Sequence, residues 1–183
     1  MKGKFAECIP YSEMIKGRIG GNPPIEVEDK IPENYLFYAT LVHPDKENSM
    51  LSILIHQDFE VLIEKNIYPN IEIKVIEHQY ANESLSNKFC IKELGIASIT
   101  EYKEDTKNDD DTIFVQYQGQ PRLIQSKSRY YEQLNKAGYE FFISILEEGY
   151  DFDTMDVVFN FGALYLYKHN ETGEVIAGYW QYS

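Results

Sequence analysis

The chain has 183 residues and a net charge of −13, from 17 Lys and Arg against 30 Asp and Glu. That is long enough for one domain with a proper core and of the wrong sign for a phosphate-binding surface. Apolar residues make up 43% and charged residues 26%, which excludes wholesale disorder, and no apolar run nears the roughly 18–20 residues of a spanning helix. Two lysines near the N-terminus are followed by no hydrophobic stretch, so a signal peptide is not expected, and Cys8 and Cys90 read as two reduced, buried thiols in cytosol.

In chain order, residues 1–34 are broken by Gly17, Gly20, Gly21, Pro23, Pro24 and Pro32, with Ser12 placed to cap a short turn through Ile15. Tyr35 to Val42 is an aromatic and β-branched run of strand length, and Met50 to Ile55 returns as its hairpin partner. Asp58 stands at the N-cap of a short helix with Phe59, Leu62 and Ile63 on one face. The alternation of Ile71 to Val75 predicts a half-buried strand, and Leu85 to Leu94 reads as a helix or a loop. The polar stretch 101–111 reads as a surface linker, followed by a strand over Thr112 to Tyr117. Ser128 is expected to cap a helix that Gly138 stops, and Tyr139 to Leu146 reads as a buried strand. Phe161 to Tyr167 and Glu174 to Tyr182 form the clearest hairpin. The expectation is one compact α+β domain over 1–183, β-rich and largely antiparallel, with similar halves of about 1–100 and 112–183 joined by 101–111.

The halves echo one another. Gly20-Gly21-Asn22-Pro23, Tyr35 to Leu41 and Leu51 to Leu54 correspond to Gln118-Gly119-Gln120-Pro121, Tyr139 to Ile145 and Gly162 to Leu166. This order of features, closing on Gly178-Tyr179-Trp180-Gln181, resembles the YwqG-like family of bacterial proteins, a domain of unknown function. The resemblance covers most of the chain, though this chain is short for the family and lacks the longer Pro-rich continuation after Pro24. It implies a duplicated β-rich fold in a bacterial cytoplasm, no established reaction, and an immunity or accessory role beside secreted toxins.

No chemical signature stands out. His43, His56, His78 and His169 have no metal-ligand spacing, and there is no nucleophile elbow, P-loop or dinucleotide fingerprint. Gly17-Arg18-Ile19-Gly20-Gly21 reads as a turn, not a phosphate cradle, and Asp151 to Asp156 lacks the glycine and closing glutamate of an EF-hand. No cofactor and no catalytic residue is expected. Residues 101–111 and 147–156 carry −9 of the net charge, and they are expected to form one negative surface. The candidate partner-binding residues are Asp109, Asp110, Asp111, Glu147, Glu148, Asp151 and Asp153, with Tyr179 and Trp180 as aromatic contacts. The function expected is a non-enzymatic protein that binds a basic protein partner. The alternative is a small-molecule or cation-binding module using an aromatic cleft and the acidic loops.

Overall fold

The computed structural model describes residues 1–183 apart from Phe152 and Thr154, with Phe59 and Glu60 described by their backbone only. The protein is a β-rich α+β fold of two antiparallel six-stranded sheets. The strands are β1 (Lys2–Ala6), β2 (Cys8–Pro10), β3 (Gly17–Gly20), β4 (Tyr35–Val42), β5 (Ser49–His56), β6 (Ile73–Gln79), β7 (Ile96–Ile99), β8 (Lys103–Thr106), β9 (Val115–Tyr117), β10 (Tyr139–Leu146), β11 (Ala163–His169) and β12 (Val175–Gln181). Three short helices join them: α1 (Ile25–Glu28), α2 (Phe59–Glu64) and α3 (Glu132–Lys136). The first sheet runs β2-β7-β3-β4-β5-β6 and the second β8-β1-β9-β10-β11-β12.

The sheets match strand for strand. Both central hairpins carry a β-bulge at the same place, after Phe37 in β4 and after Phe141 in β10. Tyr35 faces His56 where Tyr139 faces His169, and both pairs meet edge to face, at 5.5 and 4.9 Å. The turn after β3 has Gly20 and Gly21 at φ +73°; the turn after β9 has Gln118 and Gly119 at +62° and +78°. Glycine is required at position 20 for a second reason, since a Cβ there would sit 1.9 Å from the carbonyl oxygen of Gly95. Each turn is stapled by the side chain two residues before it. Arg18 donates to the carbonyls of Gly20 (2.5 Å) and Asn22 (2.6 Å), and Gln116 donates to those of Gln118 (3.0 Å) and Gln120 (2.9 Å).

Alternation along the strands sorts the side chains into three apolar layers. Ile19, Leu41, Leu51 and Ile53 meet Val115, Ile145, Leu164 and Trp180 between the sheets. Val27, Tyr35, Phe37 and Leu54 form a smaller layer on the outer face of the first sheet. Tyr130, Leu134, Tyr165, Tyr167 and Tyr179 cover the outer face of the second. The β12 edge is capped by the segment after α2, with Trp180 and Tyr68 bonded through their backbone N–H groups to Asn66 and Gly178.

Several local expectations are revised. The sheets do not divide the chain at the acidic stretch: β1 pairs with β8 and β9, so the first residues belong to the second sheet. Lys103–Thr106, read as linker, is an edge strand, because the N-terminal strand offers it a register from Lys2↔Thr106 to Phe5↔Lys103. The Ile71–Val75 strand lies two residues later and runs to Gln79, along the full length of β5. Over Leu85 to Leu94 only a 3₁₀ turn at Asn87–Phe89 forms. Ser128 opens a 3₁₀ turn and makes no side-chain cap; Tyr131 precedes α3. The turn at Ser12 closes through its backbone carbonyl, which accepts the Ile15 N–H at 3.1 Å, while its hydroxyl accepts the Met14 N–H at 3.4 Å. Cys8 and Cys90 are half-buried rather than buried. The Phe59 side chain of the α2 stripe lies outside the described residues.

Candidate binding cavity on the first sheet

A buried polar row crosses the outer face of the first sheet. Ser98, Arg18, Thr40 and Ser52 stand opposite one another in register on β7, β3, β4 and β5. All four are buried. In the second sheet the matched positions are Phe5, Gln116, Ser144 and Tyr165, with Tyr179 stacked on Tyr165 at 4.5 Å. The difference in bulk decides what each face becomes. On the second sheet the large rings fill the space, and the strap Pro121–Gln125 seals it: Tyr165 donates to the Arg122 carbonyl (2.8 Å), and Gln181 exchanges bonds with the Gln125 backbone. On the first sheet a cavity of about 410 Å3 lies over Arg18, Thr40, Met50 and His78, walled by Tyr11, Glu13, Ile15, Lys16, Pro24 and residues 80–83.

Two features of the floor are chemically distinctive. His78 Nδ1 lies 2.7 Å from the Gln79 carbonyl, which only accepts, so Nδ1 carries the proton and Nε2 accepts from the Ser52 hydroxyl at 2.8 Å. Burial holds His78 below the ordinary histidine range, which keeps it neutral. Ser52 is fully buried and does not line the cavity, so this pair orders the floor without presenting a nucleophile. Thr40 does line the cavity, is 3% exposed, and its hydroxyl has no hydrogen-bond partner among the described residues. A hollow of about 520 Å3 by Tyr35 and Phe89 is lined, among the described residues, by no unpaired buried polar side chain.

The wall segments are knitted together. Glu83 Oε1 accepts the Asn22 N–H at 2.6 Å and faces Arg18 at 3.4 Å, while Ile25 and Ser84 donate to the carbonyls of Asn82 and Pro23. Arg18 also lies over the Phe37 ring at 5.1 Å; burial lowers its pKa and the Glu83 charge opposes that. Lys16 sits over the Tyr80 ring at 5.3 Å.

The residues singled out from the sequence go elsewhere. Tyr179 is fully buried and Trp180 nearly so; the indole packs on Phe159 and donates to the Leu62 carbonyl at 3.0 Å, so neither ring reaches a partner. Glu147 is also wholly buried, because its carboxylate accepts the N–H groups of Val158 (2.5 Å), Phe159 (2.6 Å) and Gly162 (3.1 Å). Burial raises its pKa against the pull of those bonds. These three are core residues, not surface contacts. Asp109, Asp110, Glu148 and Asp153 are exposed, and Asp111 and Asp151 are half-buried. Arg122 draws part of this set together, donating to Glu148 (2.8 Å) and to the carbonyls of Asp111 (2.6 Å) and Asn108 (2.7 Å). Asp151 accepts the Asp153 N–H at 3.2 Å, while Phe152 and Thr154 of that run lie outside the described residues. Among the described residues no cluster of three or more His, Cys, Asp or Glu has metal-binding geometry, and no helix is long and apolar enough to cross a membrane.

The cavity residues escaped sequence reasoning because they come from four strands and three loops. The signal that could have found part of them is the polar residue inside an apolar strand, Thr40, beside Arg18. A scan against family models and a search of curated proteins both found no match.

Proposed function

We propose that the protein is a non-enzymatic binding protein whose recognition element is the cavity on the first sheet. The observation that carries this reading is the Thr40 hydroxyl, buried in the cavity floor without a partner where the matched face of the second sheet is packed solid. A buried hydroxyl without a partner costs about 1–3 kcal/mol, a cost that a bound group would recover. The enclosed Ser52 supports a binding role over a catalytic one. The β-rich architecture is compatible with a YwqG-like bacterial cytoplasmic protein acting as an immunity or accessory protein, and the charge of −13 supports a basic partner and no nucleic acid. The test is a two-dimensional NMR screen with small polar fragments. Saturable shifts at the amides of Thr40, Tyr80 and Glu83, weakened in Thr40→Val, are expected. Hits that map only to other surfaces, or none, refute the reading.

A second reading rests on Arg122, which ties Glu148 to the 108–111 loop and so joins part of both acidic segments. On that reading this surface steers a basic partner during encounter, and association slows as salt rises.

A further inference from the structure

Five large apolar side chains that the fold leaves exposed, Tyr11, Met14, Ile25, Tyr80 and Leu85, stand in or next to the segments that bound the cavity. Met14 is 91% and Leu85 99% exposed. Of the five, Tyr11 and Tyr80 line the cavity itself, and Met14, Ile25 and Leu85 lie within two residues of its lining in the chain. Exposed apolar side chains in those segments suit a side chain presented by a protein better than a free polar metabolite, because they gain only when something apolar covers them. The charges inside select the sign of that side chain. Arg18 is spent on the turn carbonyls and on Glu83 Oε1. Glu83 Oε2 has no bonded partner among the described residues, and neither does the Glu13 carboxylate. Lys16, which also lines the cavity, rests on the Tyr80 ring at 5.3 Å, a contact open to a guest cation in its place.

We propose that the cavity receives a lysine or arginine side chain of a basic partner protein, between the Glu13 and Glu83 carboxylates and the Tyr11 and Tyr80 rings, with apolar neighbours of that residue seated on Met14 and Leu85. The guest displaces Lys16 from Tyr80, and the Thr40 hydroxyl is the polar group left for it on the floor. The overall charge of −13 favours approach of such a partner. This deepens the binding reading above and rests on it.

The test uses four capped tripeptides, acetyl-Leu-X-Leu-amide with X as Arg, Lys, Gln or Glu, titrated at low salt and followed by NMR. The Arg or Lys peptide is expected to shift the amides of Glu13, Thr40 and Tyr80, and the Gln and Glu peptides to bind at least about fivefold more weakly. Glu13→Gln, at an exposed position, should weaken the cationic peptide about fivefold. Lys16→Met should tighten it about two- to fivefold by removing the competitor for Tyr80. Stronger binding of the Glu peptide, weaker binding after Lys16→Met, or no binding of any of the four overturns the inference. The fragment screen, which needs no cation, then decides separately whether the cavity binds anything.

Discussion

Replacing Thr40 by valine is expected to stabilise the protein while weakening its binding. The hydroxyl is buried without a partner, so the folded state forgoes the hydrogen bonds that water gives it in the unfolded chain. Valine keeps the shape and the β-branch and puts a methyl group in place of the oxygen. Recovering part of a ~1–3 kcal/mol penalty, with about 0.8 kcal/mol for the added apolar group, gives a net gain of about 1–2 kcal/mol. For a chain of this size that is a rise of roughly 2–8 °C in Tm. The molecule carries its own control: Ser144, at the matched position of β10, also has a buried hydroxyl without a partner, but the rings of Tyr165 and Tyr179 fill the space beside it. Ser144→Ala should therefore stabilise by about 1 kcal/mol and leave ligand binding unchanged. The assay is urea denaturation of the three proteins at constant m-value, beside the NMR titration. A lower stability for Thr40→Val, or equal loss of binding in both variants, refutes the argument that the first hydroxyl is held for a ligand.

His43 and His78 are both held below the ordinary range by burial, so the unfolded chain takes up protons first as pH falls below about 6.5 and stability declines there. His78→Gln, the residue type at the matched position 181, should grow more stable relative to wild type between about pH 7.5 and 5.5; a constant difference across that range contradicts the assignment. Arg18→Gln should cost at least about 1 kcal/mol less than Arg18→Ala in urea denaturation, because glutamine can staple the turn as Gln116 does; equal losses would show that the staple contributes nothing. Glu147→Ala strips three buried N–H groups of their acceptor and should cost about 3 kcal/mol or more, whereas Asp109→Asn with Asp110→Asn should stay within about 0.5 kcal/mol. A mild Glu147→Ala would return that residue to the surface.

The sequence by itself determined the local elements whose patterns are autonomous. Tyr35 to Val42, Met50 to Ile55 and Tyr139 to Leu146 are strand-length runs, apolar but for Thr40, Ser52, Glu140 and Ser144 and rich in β-branched and aromatic residues, which read as buried strands, and the glycines at 21 and 119 mark turns that need positive φ. The correspondence of the two hairpins was legible for the same reason, down to the aligned Phe37 and Phe141 that precede the bulges. What only the tertiary structure decided depends on partners distant in sequence. Lys103–Thr106 is a polar stretch with no strand pattern of its own, and becomes β8 because β1 lies beside it. Glu147 looks like its neighbour Glu148, yet one turn aims it at three buried backbone N–H groups and the other at Arg122 on the surface. The cavity lies where Arg18, Thr40, Met50 and His78 of four strands meet the loops around residues 11–16 and 80–83, whereas Tyr165 and Tyr179 fill the matched face of the second sheet. Volume left unfilled is a property of all the side chains that converge on one place, and no local stretch of sequence encodes it.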